Sequence, residues 1–237
     1  MIVKAAGADG GAYTVTEQDL ALINKHTMIP LTAEDVFVFP IRLCDNALDR
    51  DFECFSADTL AGLAKLYVGK PGIFDHQWSA HNQTARIFRT ELVYAPDEGK
   101  AALAGENYCY LKAYAYMLRT EGNAEAIAEI SGGIKKEVSV GCACENLTCS
   151  ICGNDLYTQG CNHRKGTTYD GALCFGILTE PSDAYEWSFV AVPAQPAAGV
   201  TKKWEQAHSD PADVGSAEDM AEDEDLVTVE KLRFGGK

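Results

Sequence analysis

Residues 184–193 read AYEWSFVAVP, and the alternation in this stretch sets the fold class. Tyr185, Trp187 and Phe189 fall on one face of a strand, and Glu186 and Ser188 on the other. PAQPAAG at 193–199 then ends it. Working back, IKKEVSV at 134–140 is a second short strand, with Val138 and Val140 on one side and Glu137 and Ser139 on the other. ARIFRTELVY at 85–94, NYCYLKAYAYML at 107–118 and VFVFPIRL at 36–43 are further strands, the last with Pro40 at an edge or bulge. Helices are predicted after Ser56 as N-cap, with a stripe of Leu60, Leu63 and Leu66, and over 121–131, stopped by Gly132 and Gly133. Residues 1–35 give no clear pattern. The reading is an α/β chain.

Between the last two strands lies CACENLTCSICGNDLYTQGCNH, residues 142–163. Cys149 and Cys152 form a C-x2-C knuckle closed by Gly153, and Cys161 and His163 form a C-x-H pair. Thiolates and imidazole at these spacings suit a tetrahedral Zn²⁺ site, and four protein ligands leave no open position, so the zinc would be structural. Cys142, Cys144 and Cys174 are substitutes for any one ligand. The insert is read as spanning 142–174. Cys44, Cys54 and Cys109 are scattered and read as buried thiols.

The chain of 237 residues has a net charge of −15 and a pI near 4.7, which argues against a nucleic-acid surface. No apolar run is long enough to span a membrane, and no signal peptide is expected. Six of the nine cysteines fall between 142 and 174, which favours a cytosolic metal site over a disulfide framework. Residues 1–204 are assigned to one folded unit. Residues 205–237 are acidic and poor in large apolar side chains, and read as a disordered tail whose LVTVEKLRF segment can dock on a sheet edge.

Taken alone, Ser139 is an ordinary strand serine and His76 an ordinary loop histidine. Three segments change that weighting: GKPGIFDHQWSAHNQTARIFRTELV (69–93), GGIKKEVSVG (132–141) and YEWSFVAVPAQPAAGV (185–200). Together they resemble the base-histidine, nucleophile and closing-strand segments of tailed-phage prohead (capsid maturation) proteases, relatives of the herpesvirus assemblins. The last segment, of the type S-x-V-x-x-P-A-x-P-x-A, is the most specific, and the likeness covers about residues 36–200. The Cys-rich insert departs from the commonest pattern of the family.

The resemblance implies a small, mostly antiparallel barrel flanked by helices, with His76 as general base and Ser139 as nucleophile. It leaves the third member open. Glu186, which shares a face with Ser188, is the candidate, with Asp75 and His81 as weaker choices. The implied activity is a serine endopeptidase that cleaves scaffold and major capsid precursors, and itself, inside a prohead in the host cytoplasm. A homo-oligomer is left open. Two other readings stand beside it: a non-enzymatic, zinc-stapled capsid-assembly or scaffold module, and a zinc hydrolase, which needs an open coordination position.

Overall fold

The computed structural model describes residues 13–201, apart from 99, 101, 102 and 104, together with the backbone of 227–230. A mixed sheet dominates it. In spatial order the path runs β10 (Gly199–Val200), β1 (Val36–Asp45), β5 (Cys109–Leu118), β4 (Ala85–Tyr94), β3 (Pro71–Phe74), β9 (Gly176–Phe189), β2 (Glu53–Phe55). β6 (Val138–Cys149) pairs with the other edge of β9. A separate two-stranded ribbon joins β7 (Thr168–Tyr169) to β8 (Ala172–Leu173).

β1, β5 and β4 form an antiparallel meander, whereas β3 and β2 run parallel to successive halves of β9. β9 is therefore the hub of the molecule. Its fourteen residues touch β6 along one edge and β2 and β3 along the other.

The expected barrel is not closed. An isolated antiparallel bridge between Glu137 and Gly199, supported by Val200 N–H donating to the Lys136 carbonyl, is what links the β6 side to β10. β10 has two residues, and Pro193 and Pro196 upstream of it lack the N–H that a longer ladder needs. The fold is thus an open, mostly β sheet with few helices.

The core is built against one face of this sheet. Helix α2 (Ala57–Tyr67) starts at Ser56, whose hydroxyl accepts the Thr59 N–H. It buries Leu60, Leu63, Ala64 and Tyr67, positions i, i+3, i+4 and i+7 of one helical face. Leu66, expected in the stripe, is only partly buried, because a strict period of three drifts off the apolar face. Opposite α2 lie Phe39, Ile41, Leu111, Ala113, Trp187 and Phe189. Each such side chain contributes about 1.5–3 kcal/mol of burial.

On the sheet's other face, α1 (Glu17–Ile23) sets Ile23 in a smaller cluster with Val36, Val38 and Phe88. Its cap is a reciprocal box between Thr16 and Asp19, a signal not read from the sequence. α3 (Ala124–Ser131), entered through a 3₁₀ turn at Glu121–Asn123, buries Ile130.

The Cys-rich insert is shorter than the sequence reading made it. Residues 142–149 continue β6, and β9 begins at Gly176, so the two strands form one long hairpin with the knuckle at its tip. Most of the predicted tail lies outside the described residues. Within it β11 (Val227–Glu230) pairs in parallel with Thr90–Val93 of β4.

Candidate functional site

β3 ends in a tight turn where Asp75 and His76 both have φ near +52°, the left-handed region that side-chain-bearing residues avoid. Such backbone costs about 1–2 kcal/mol per residue. It is held here by β9 and by its own loop. Asp75 N–H donates to the Phe189 carbonyl at 3.0 Å, and Asn82 Nδ2 donates to the Phe74 carbonyl at 2.9 Å. His76 N–H donates to Ser188 Oγ at 3.1 Å. Strain of this kind concentrates where geometry serves a function.

The turn brings the His76 ring to Glu186, with Nδ1 and Oε1 at 2.8 Å. Glu186 is buried, and its second oxygen accepts the Ser188 hydroxyl at 2.6 Å. Both carboxylate oxygens are therefore satisfied, as a buried acid requires. With Nδ1–H given to Glu186, Nε2 is the free ring nitrogen. Asp75 and His81 make no hydrogen bond to the His76 side chain; both are exposed.

Ser139 stands directly opposite Ser188 in the β6–β9 ladder, so both side chains leave the same face, about 5 Å apart at Cβ. Two residues on, Gly141 faces Glu186. A Cβ at 141 would lie 2.4 Å from Glu186 Oε1, so only glycine leaves the carboxylate room to reach His76. The Ser139 hydroxyl has no hydrogen-bonding partner among the described residues and none to His76. Ser139 lines a cleft of about 240 Å³ that His76 and Glu186 do not line, walled by Asp49, Asp51, Glu53 and the 194–198 loop. Gln195 pins that loop by exchanging two hydrogen bonds with the Asp45 backbone.

Ser188 was read from the sequence only as a face-mate of Glu186, yet it bridges the His76 backbone and the carboxylate. Alternation alone carried the signal for that placement. The bulge beside it did not show. The ladder jumps from Gly141–Glu186 to Cys142–Ala184, which leaves Tyr185 exposed, off the buried face of Trp187 and Phe189, with Ala184 buried beside it.

At the hairpin tip, one donor atom each from Cys149, Cys152, Cys161 and His163 lies within 4.8 Å of the others. Tetrahedral zinc with bonds of about 2.3 Å spaces its sulfur ligands by about 3.8 Å, so a small contraction completes the shell. Cys149 Sγ is 3.8 Å from His163 Nδ1. Although burial opposes it, N–H groups of Cys152 and Ile151 hold the Cys149 thiol down to about 6, which favours the ligating thiolate. Cys174 lies 3.9 Å from Cys149 and is pushed up to about 11 by burial and by that contact. The cluster can hold a metal ion and its chemistry is compatible with zinc. Cys142 and Cys144 instead pack on the main core, on the β6 stretch that precedes the knuckle.

Compared with protein-family models, curated proteins and solved structures, the chain finds no match. Among the described residues no helix is long and apolar enough to cross a membrane.

Proposed function

We propose that the chain is a serine endopeptidase that cleaves scaffold and capsid precursors, and itself, during phage prohead maturation, as its likeness to that protease family implies. The observation that carries the reading is the 2.8 Å His76–Glu186 hydrogen bond, set one strand spacing from Ser139. Glu186 fixes the tautomer of His76 and steadies the imidazolium that forms during attack. Nε2 takes the proton from Ser139 Oγ, which attacks the peptide carbonyl, and then returns it to the leaving amine. Ser188 is the positioning residue that holds Glu186 and the His76 turn together.

The likeness to assemblins belongs to the same proposal, with the sheet open rather than closed. The metal in it is a structural zinc on Cys149, Cys152, Cys161 and His163. That ion supplies a clasp for the β6–β9 hairpin and takes no part in the reaction. The experiment is cleavage of a co-expressed scaffold–capsid precursor, and of the chain itself, by wild type and by Ser139→Ala. Cleavage lost in a folded Ser139→Ala chain supports the reading. Undiminished cleavage by that variant removes Ser139 from it. No cleavage by either leaves the non-enzymatic assembly module as the better account.

A further inference from the structure

The outward turn of Tyr185 builds a surface beside the candidate triad, on the side of Glu186. Tyr185 is 41% exposed and Trp78 70% exposed, and their rings meet with centroids 5.4 Å apart. Two large aromatics left in solvent and in contact mark a binding face. They edge a cleft of about 430 Å³, within the range of roughly 300–1,000 Å³ in which small groups are bound. Pro71, Ile73 and Ala184 line it, and Glu186 of the candidate triad forms one end.

We infer that this cleft receives a large apolar side chain, aromatic or branched aliphatic, of the peptide substrate; the inference rests on the peptidase reading. Three observations choose that occupant. Pro71, Ile73, Ala80 and Ala184 give the lining between the rings and the sheet an apolar stretch, with the uncharged Ser79 and Gln83 beside it. Asp183, the carboxylate on the rim, is already paired with Lys70 at 3.3 Å, so it does not call for a cationic side chain. Both oxygens of Glu186 are engaged as well.

Distance selects where on the substrate this side chain sits. Ser139, Ser188 and Ile73 are lateral neighbours on β6, β9 and β3. Two strand spacings put the cleft about 10 Å from the nucleophile. An extended peptide covers that in about three residues. The subsite thus reads a residue two to four positions from the scissile bond. Filling it also removes water from one side of the His76–Glu186 pair, where a dry environment strengthens the hydrogen bond.

The probe is a decapeptide library in which one position at a time is fixed as Phe, Leu, Ala, Lys or Asp. Binding is measured by fluorescence anisotropy on the full-length Ser139→Ala chain, which cannot turn the peptides over. At one position Phe or Leu should bind at least about tenfold more tightly than Ala, Lys or Asp. That gap should close when Trp78→Ala or Tyr185→Ala is added, with near-ultraviolet circular dichroism of the buried Trp187 showing the fold intact. No preference, no measurable binding, a preference for Lys, or a Phe preference that survives both substitutions overturns the inference. Phe-selective binding with no cleavage by the Ser139 chain keeps the cleft and removes the peptidase. Cleavage with no such selectivity does the reverse.

Discussion

Glu186 is held from two sides, by the His76 ring and by the Ser188 hydroxyl, and each contact makes a prediction. Ser188→Ala leaves one oxygen of a buried carboxylate without its donor and the His76 N–H without its acceptor. Such losses cost about 1–3 kcal/mol each. The melting temperature should fall, and kcat should drop about tenfold with KM little changed, because the base is misplaced rather than removed. Ser188→Thr, which keeps the hydroxyl, should recover most of it. An unaltered kcat in Ser188→Ala would separate this serine from the mechanism. Ser139→Ala and His76→Ala should each lose about 10⁶ in kcat, with the double variant no worse, because the two act as one unit. His81→Ala should retain most activity, since His81 is exposed and its side chain does not bond His76. Activity that survives His76→Ala but not His81→Ala would move the base by five positions.

At the scale of the strand, the approach of β6 to β9 depends on Gly141. Gly141→Ala sets a methyl group against Glu186 Oε1, and overpacking of this kind costs about 1–3 kcal/mol. Activity should fall more steeply than stability, as the carboxylate is driven off His76. A Gly141→Ala chain that melts lower yet turns over normally would refute the coupling. The sequence made part of this legible. The alternation of AYEWSFVAVP put Glu186 and Ser188 on one face, and the Ser56 cap and the 85–94 strand stand where the residues predicted them. What it hid were choices made between strands. The bulge at Tyr185 arises because the two strands of the hairpin differ in residue count there, and neither strand shows that alone. The extension of β6 through Cys149 was hidden because its cysteines read as loop ligands, although Cys142 and Cys144 pack on the core. The left-handed turn at Asp75 and His76 lacks the glycine that would announce it; β9 supplies acceptors for its two N–H groups and Asn82 braces it from its own loop.

Across the whole molecule, the metal cluster and the C-terminal segment test separately. Purified protein should carry about one zinc per chain, and Cys149→Ser should lose metal and stability together. Metal-free protein under reducing, chelator-free conditions would end the zinc proposal. Metal that persists in His163→Ala would shift the fourth ligand to Cys174, whose sulfur is already 3.9 Å from Cys149. Deleting residues 205–237 removes β11 from the edge of β4, a strand that does not itself pair with β6 or β9. Turnover of a short peptide should be nearly unchanged, whereas incorporation into proheads should fall. Loss of intrinsic peptidase activity on that deletion would make the segment part of the folded enzyme.

The hairpin that joins Ser139 to Ser188 also bears on timing. The two serines must meet across a long stretch of chain, and closing a long loop is an entropic barrier that grows with its length, by about 0.6 kcal/mol for each doubling. A zinc ion on the knuckle, as proposed above, would tie that loop at its tip, so β6 and β9 could zip toward the site from the pair at Cys149 and Gly176. Refolding should then be faster with zinc present than after chelation, even where the final activity is the same. If the proposed zinc site is right, a nascent chain would reach its candidate catalytic face sooner after capturing an ion, and zinc supply would bear on when that face is assembled.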